Sequence, residues 1–255
     1  MSLFTARGVS KTFAGITALH DVSLEVDEGD RVGLIGPNGA GKTTFFNCVL
    51  GVIPADRSEV TFDGRRLDGL SPSQRARLGI GRTFQRIELF DAMTVREHLL
   101  VAERVRRGDG SLWRDLLGRG RMRPEEIEAC DEVLELLGLQ EQADDPVEAL
   151  SLGQGRLVEV GRALMTEPRL LLLDEPSSGL DRTETTALAD TLATVQQAKG
   201  FAILLVEHDV ELVAAFTRRT VVLDFGRVIA AGPTAEVMAA DAVRRAYLGD
   251  MENVT

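Results

Sequence analysis

One short run of the sequence constrains the fold of this chain more than any other, because glycines in it alternate with small residues and lead into a lysine. It reads Gly36-Pro37-Asn38-Gly39-Ala40-Gly41-Lys42-Thr43. A short apolar stretch, 31–35, precedes it, and apolar residues recur at helical spacing from Thr43 to Gly51. A strand, a glycine loop and a helix in this order are the context in which a P-loop occurs.

Such a loop is suited to phosphate groups. Glycines let successive backbone N–H groups point at phosphate oxygens, and the next helix adds its positive N-terminal end. We expect Lys42 to reach the β- and γ-phosphates of ATP and the Thr43 hydroxyl to bind Mg²⁺. The expected contacts with the nucleotide are Gly36, Pro37, Asn38, Gly39, Ala40, Gly41, Lys42, Thr43 and Thr44.

Four leucines, 170–173, precede a second motif, Asp174-Glu175-Pro176. A continuous apolar run is typical of a buried strand in a parallel sheet. At the end of that strand, Asp174 is expected to hold magnesium through water. Glu175 is placed to polarise the attacking water. A strand that ends in two acids is often only solvated, but after a P-loop it indicates a site of nucleotide hydrolysis.

A third motif, Leu150-Ser151-Leu152-Gly153-Gln154, stands before a helical pattern. Serine at a helix start is usually an N-cap. At this position Ser151 could equally bind a phosphate, and the pattern does not choose between the two.

These motifs together resemble the nucleotide-binding domain of ATP-binding cassette (ABC) transporters, over essentially the whole chain. The order is P-loop, Thr83-Phe84-Gln85, the 150–154 motif, Asp174-Glu175-Pro176, Ser178-Gly179-Leu180-Asp181 and Val206-Glu207-His208-Asp209. The resemblance implies an α/β fold: a RecA-like P-loop NTPase core with an antiparallel β subdomain and an inserted α-helical subdomain. We expect one domain, with the core at 1–90 and 159–255 and the helical part at 91–158.

The resemblance also implies roles for single residues. Phe13 would stack on adenine, Gln85 would sense magnesium and the attacking water, and His208 would contact the γ-phosphate. The implied catalytic residues are Glu175, His208, Gln85 and Lys42, and the implied metal ligands are Thr43, Gln85 and Asp174. A second copy's ATP would be bound by Ser151, Gly153 and Gln154, with Asp181 across the contact. Simpler alternatives are a core Phe13, a surface amide for Gln85, and a His208 bonded to its own backbone.

Several features are similar to one branch of the family, the ATP-binding subunits of branched-chain amino acid importers and their relatives for urea and short amides. Leu152 stands where the family signature mostly has glycine, and a bulky residue there is common in this branch. The branch also resembles this chain at 82–90, 225–232 and 246–249. The implied partners are a second nucleotide-binding subunit, identical or paralogous, transmembrane permease subunits and, indirectly, a solute-binding protein.

Composition limits the other functions. The net charge of −11 argues against binding nucleic acid through bulk electrostatics. Cys48 and Cys130 form no metal-ligand pattern, so we expect two reduced, buried thiols. The apolar stretches are far shorter than the roughly 20 residues that span a bilayer. The chain is therefore expected to lie peripherally, at the cytoplasmic face of the membrane, held there by a partner.

An arginine-rich stretch, 104–123, interrupts the helical part. It carries Arg104, Arg106, Arg107, Arg114, Arg119, Arg121 and Arg123 around Leu112, Trp113, Leu116 and Leu117. One interpretation is a basic surface that contacts the membrane partner or anionic headgroups. The alternative is a solvated loop.

Three other functions remain as alternatives. A soluble ABC ATPase of translation or DNA repair normally has a second cassette or long coiled coils, which this sequence lacks. A regulatory ATP-binding module without turnover is disfavoured by the intact Glu175 and His208. A lipid or lipopolysaccharide transporter subunit is disfavoured by the C-terminal residues.

Overall fold

The computed structural model describes residues 2–83, 93–107 and 123–248, and the chain divides into two compact units. The first unit is formed by Met1–Ile80, Arg169–Glu175 and Gly200–Thr255. The second is formed by Gly81–Pro168 and Pro176–Lys199. Both sheets and helices are present, which confirms the predicted α/β class. The domain boundaries expected from the sequence stay a prediction.

The first unit contains an antiparallel sheet near the N-terminus, as expected. Its strand order is β2-β1-β4-β5. Phe4 of β1 lies opposite both Val26 of β2 and Phe62 of β4. Along β2, every second residue from Val22 to Val26 is buried, which is the alternation of a sheet with one covered face. The strands are β1 Ser2–Phe13, β2 Ile16–Asp27, β4 Arg57–Phe62 and β5 Arg65–Arg66.

A six-stranded sheet has the order β10-β9-β3-β8-β7-β6. β3 runs parallel to β8 and β9, and β7 runs parallel to β8. Every residue of β7 and β8 is buried, as their continuous apolar sequences predict. The carboxyl ends of β3, β7 and β8 therefore meet at one edge. The strands are β3 Arg31–Ile35, β6 Ile80–Arg82, β7 Leu170–Asp174, β8 Ala202–Val206, β9 Arg219–Asp224 and β10 Arg227–Pro233.

The helices of the first unit begin with α1, Lys42–Leu50, which follows β3 and ends at the left-handed Gly51, as predicted. The sequence patterns did not predict the short helices. Helix α2 forms where Arg75 donates to the Val49 carbonyl at 2.6 Å, which satisfies the end of α1. The short helices are α2 Pro72–Ala76, α7 Val210–Phe216, α8 Thr234–Ala239 and α9 Asp241–Leu248.

The second unit is helical in its described residues, apart from the end of β6. A β-carbon on Gly161 of α5 would stand 2.9 Å from Leu137 and 3.4 Å from Leu99, so α3 and α4 approach α5 closely at this glycine. Threonine followed three residues later by glutamate predicts a capping box, and Thr94 and Glu97 form this reciprocal cap at the start of α3. The helices are α3 Val95–Arg107, α4 Pro124–Leu137, α5 Leu152–Leu164 and α6 Arg182–Lys199, with a 3₁₀ turn at Val147–Ala149.

Two residues of this unit, Ile127 and Arg104, lie otherwise than their sequence patterns indicate. Helical spacing with Cys130 and Val133 predicts that Ile127 belongs to the apolar stripe of α4, but Ile127 is 36% exposed, whereas Glu126 beside it is buried. The reason is Arg104, which is buried too and donates to both carboxylate oxygens of Glu126, at 3.0 and 3.1 Å. Arg104 is therefore not part of a basic surface. Arg106 and Arg107 both bind Glu103, and the arginines of 108–122 lie outside the described residues.

Two further expectations concern the cysteines and the membrane. Cys48 and Cys130 are free and buried, as predicted. In the described part of the chain, every helix is too short or too polar to pass through a lipid bilayer.

Candidate nucleotide-binding site

The glycine loop that follows β3 is packed tightly against neighbouring backbone. A β-carbon on Gly36 would stand 2.1 Å from the Leu223 carbonyl oxygen, and one on Gly41 would stand 2.7 Å from that of Ala18. Gly41 has φ 102° and is the residue from which α1 starts. Only glycine fits such positions, because a side chain would collide with fixed backbone. The sequence pattern and the packing therefore agree, because the carbonyls of Leu223 and Ala18 leave room only for a glycine backbone in this loop.

Lys42, the first residue of α1, is 6% exposed. Its Nζ donates to the carbonyls of Gly36 at 2.6 Å and Pro37 at 3.2 Å. Burial lowers the pKa of the Lys42 ammonium, while the carboxylates of Glu175, Glu207 and Asp174 act in the opposite direction. A buried cation thus lies inside the loop at a helix N-terminus, the arrangement that attracts polyphosphate.

Two acids stand where β7 ends. Asp174 is its last residue and is 6% exposed. Glu175 follows with φ 47°, and its N–H donates to the Val206 carbonyl at 2.8 Å. A left-handed glutamate costs on the order of 1–3 kcal/mol, and such strain is concentrated at functional sites. The turn in the backbone directs Glu175 away from the line of the strand.

The end of β8 contributes His208 and a residue that sequence reasoning missed, Glu207. Glu207 is fully buried and accepts the backbone N–H groups of His208 at 3.0 Å and Asp209 at 3.4 Å. His208 Nδ1 lies 3.7 Å from Glu207 Oε2 and 3.9 Å from Glu175 Oε2. The signal that could have found Glu207 is an acid directly after an apolar strand, beside a candidate site histidine.

The predicted residues of the second unit lie at two helix starts. Ser151 Oγ accepts the Gln154 N–H at 3.2 Å, and Gln154 Oε1 accepts the Ser151 N–H at 2.9 Å. Ser151 is therefore the N-cap of α5, which is one of the two roles considered for it, and the residue is also exposed. Gly153 lies between them in the first turn of α5. Asp181 forms the same reciprocal cap with Glu184 ahead of α6.

Two further predicted residues, Phe13 and Gln85, have different outcomes. Phe13 ends β1 and is 45% exposed, so the alternative that it belongs to the core is wrong. The ammonium of Lys11 lies 5.3 Å from the centre of its ring. Gln85, in 84–92, lies outside the described residues.

The donors present fit Mg-ATP. Thr43 is exposed in the first turn of α1, and Thr44 beside it is half-buried. No three His, Cys, Asp or Glu side chains among the described residues are grouped to hold a metal by themselves. Mg²⁺ usually needs no such group, because one or two carboxylates and substrate phosphates bind it. Asp174 offers a carboxylate and Thr43 a hydroxyl of the kind that Mg²⁺ binds, and the ammonium of Lys42 is suited to the phosphates.

Comparisons with known proteins agree with this geometry. The model of the ABC transporter family matches residues 19–178. The chain is 40% identical to the high-affinity branched-chain amino acid transport ATP-binding protein LivG of Salmonella typhimurium, over 97% of this chain and 98% of that protein. It is 33% identical to the lipopolysaccharide export system ATP-binding protein LptB of Haemophilus influenzae, over 98% of each.

A solved structure has the same fold. It is the ADP conformation of MJ1267, an ATP-binding cassette of an ABC transporter, which matches with a TM-score of 0.87 and 31% identity over 98% of this chain and 99% of that one. The core is thus a P-loop NTPase of the ATP-binding cassette type. The chain belongs to the ABC transporter family and is one of its ATPases.

Proposed function

We propose that this chain is the ATP-hydrolysing subunit of a transporter that imports branched-chain amino acids or a related small polar solute. The observation that supports this most is the alignment with LivG, which runs over 97% of the chain at 40% identity. The site agrees with it, because the P-loop, Asp174, Glu175 and His208 stand at the carboxyl edge of parallel strands. Ligands of open α/β sheets bind at that edge.

Within this proposal, each group at the sheet edge has one task. The loop 36–41 and Lys42 hold the phosphates of ATP, and Phe13 stacks on the adenine. Thr43 and Asp174, with Gln85, hold Mg²⁺, which when bound neutralises charge on the phosphates. Glu175 accepts the proton of the attacking water, and His208 beside it contacts the γ-phosphate.

The second unit serves another copy of the site. Ser151, Gly153 and Gln154 bind the ATP held by a second nucleotide-binding subunit, and Asp181 lies across that contact. ATP closes the pair and hydrolysis reopens it, which drives separate permease subunits that receive solute from a binding protein. The chain accordingly works at the cytoplasmic face of the membrane.

A lipid exporter subunit is the second candidate, because the 33% identity to LptB also spans 98% of the chain. The deciding experiment isolates the chain from solubilised membranes of its own cells and identifies the proteins that accompany it. Those proteins are then reconstituted in vesicles, and ATP-dependent uptake of labelled leucine and of urea is measured. A Glu175→Gln complex is the matched control.

Import would be supported by leucine or urea uptake in the parent complex and none in the control. Accompanying permeases that move lipopolysaccharide, with no uptake of either solute, would replace the importer by the exporter.

A further inference from the structure

Two segments of the second unit are in close contact where α5 begins. One is the 150–154 motif, and the other is the loop formed by 176–181. Gly179 in that loop has φ 85°, and a β-carbon on it would stand 3.0 Å from Cδ2 of Leu152. The Leu152 side chain therefore lies directly against Gly179, whose left-handed backbone favours glycine. This gives a physical role to the bulky residue that replaces the usual glycine of the signature.

Arg156, one turn further along α5, forms a second connection. Its guanidinium donates to the Ser178 carbonyl at 3.1 Å and to Glu159 at 3.3 Å. Arg156 and Glu159 are 6% and 4% exposed. Paired charges at this depth gain little net stability, because desolvation offsets their attraction. A guanidinium is planar and carries five N–H donors, so its contribution here is geometric. It holds the Ser178 carbonyl of the loop at a fixed position relative to α5.

A third contact continues this surface. A β-carbon on Gly153 would stand 3.7 Å from Oε1 of Glu184, and Glu184 forms the reciprocal cap with Asp181. The 150–154 motif, the 176–181 loop and the start of α6 are thus joined by apolar contact, a charged hydrogen bond and a cap.

We propose that Arg156 and Leu152 are positioning residues, which hold the 150–154 motif and the 176–181 loop as one surface for the second subunit. This rests on the proposed function, in which both segments meet that subunit across a shared ATP. The two segments must then meet the second subunit in one fixed geometry. A displacement of about 1 Å in a reacting geometry can lower a rate by about 100-fold. Neither residue touches the chain's own nucleotide in this scheme.

The test neutralises both members of the charged pair together, by the double variant Arg156→Gln with Glu159→Gln. The matched control is Arg104→Gln with Glu126→Gln, a pair of similar burial in the same unit, bonded between α3 and α4. Both are made in the parent chain and in a Glu175→Gln background. Three quantities are measured: the affinity of the monomer for a fluorescent ATP analogue, steady-state hydrolysis, and ATP-dependent dimerisation of the Glu175→Gln proteins.

We expect the Arg156 double variant to bind the analogue like the parent, to need roughly tenfold or more ATP-loaded protein to dimerise, and to lose hydrolysis by a factor of about 10 to 100. The control should change none of these. Equal dimerisation of the Arg156 variant and the parent would overturn the proposal. So would an equal loss in the Arg104 control, since the effect would then come from any buried pair.

Leu152→Ala and Leu152→Met keep the proposal testable if the double variant does not fold. Leu152 is 41% exposed, so its truncation leaves the core unchanged. The alanine variant should dimerise more weakly, and methionine, which conserves the volume, should restore dimerisation. Ser151→Ala distinguishes the shared ATP site from the positioning role of Arg156 and Leu152. A normal dimer in that variant would count against the shared site itself, whereas a weak Ser151 dimer with normal Arg156 and Leu152 variants would remove only the positioning role.

Discussion

His208 Nδ1 lies 3.9 Å from Oε2 of Glu175, across the ends of two adjacent parallel strands. That separation is too long for a direct hydrogen bond. Both groups can instead bond to one water placed beside them, such as the water that attacks the γ-phosphate. The buried Glu207 has its Oε2 3.7 Å from the same Nδ1 and accepts the His208 backbone N–H, so the strand end holds the histidine near Glu175.

Replacing Glu175 by glutamine should abolish turnover and spare binding. The amide keeps the size of the side chain but loses the basicity that the attacking water needs. General-base catalysis contributes about 10²- to 10⁴-fold, so we expect phosphate release to fall by at least about 100-fold. Affinity for the ATP analogue should stay within about threefold of the parent's. Glu236→Gln, an exposed change on α8, is the control. Near-normal steady-state hydrolysis by the Glu175 variant would refute the role.

Lys42→Ala should weaken nucleotide binding itself. Hydrogen bonds to charged groups contribute about 1.5–3 kcal/mol, which corresponds to an increase of roughly 10- to 150-fold in Kd. Lys199→Ala provides a control, since Lys199 lies on the surface in an ion pair with Glu132. Titration with inorganic tripolyphosphate should show the same loss as titration with ATP. An unchanged Kd in the Lys42 variant would mean that the lysine bonds only its own loop.

The stability of the second unit should fall in acid because of its buried carboxylates. The Arg104 guanidinium lowers the pKa of Glu126; burial would raise the pKa of Glu103, but Arg106 and Arg107 outweigh it. A carboxyl whose folded pKa is lowered stabilises the fold above its unfolded value, about 4.3. That contribution is lost as the pH falls through the folded value.

Glu126→Gln should therefore lower the free energy of unfolding strongly at neutral pH and less in acid. At pH 7 it replaces the carboxylate that Arg104 binds by a neutral amide, a loss of about 1.5–3 kcal/mol for hydrogen bonds to a charged group. The difference in the free energy of unfolding between variant and parent should narrow as the pH drops below about 4, since the parent's own glutamate then protonates. Urea unfolding followed by circular dichroism measures both. Glu132→Gln, on the same helix but exposed, should cost at most about 1 kcal/mol. A gap that is independent of pH would contradict the assignment.

The parts of the fold that could be predicted are those set by local rules. The run 31–35 alone predicts β3, and Gly51 predicts the end of α1, because a glycine after an apolar stripe favours a left-handed cap. Helix α2 was missed although its start is marked locally, by the capping box of Ser71 and Gln74 and by Pro72 in the first turn; it is only five residues long. Helical spacing predicts that Ile127 is buried and Glu126 exposed, and the structure shows the reverse. The reason is a contact between distant residues, because Arg104 binds the carboxylate of Glu126 and buries it.

The site divides in the same way. Lys42, Asp174 and Glu175 follow from motifs that each carry their own strand or helix. Arg156 does not, because its guanidinium binds the Ser178 carbonyl of another segment. Glu207 was missed although it carries a local signal, an acid directly after an apolar strand. The role of Ser151 in a shared site depends on a second subunit, which one chain's sequence does not describe.

Phe13 should contribute to ATP affinity through the base and not through the phosphates. Stacking of a base on an aromatic ring is worth about 1–3 kcal/mol, so Phe13→Ala should raise the Kd for ATP by roughly 5- to 150-fold. Tryptophan at this position should restore binding. Affinity for tripolyphosphate should not change, which separates this variant from Lys42→Ala. Phe225→Ala is the matched control, because Phe225 is 86% exposed at the tip of another hairpin of the same unit. If Phe13→Ala binds ATP normally, the exposure of its ring has some cause other than adenine.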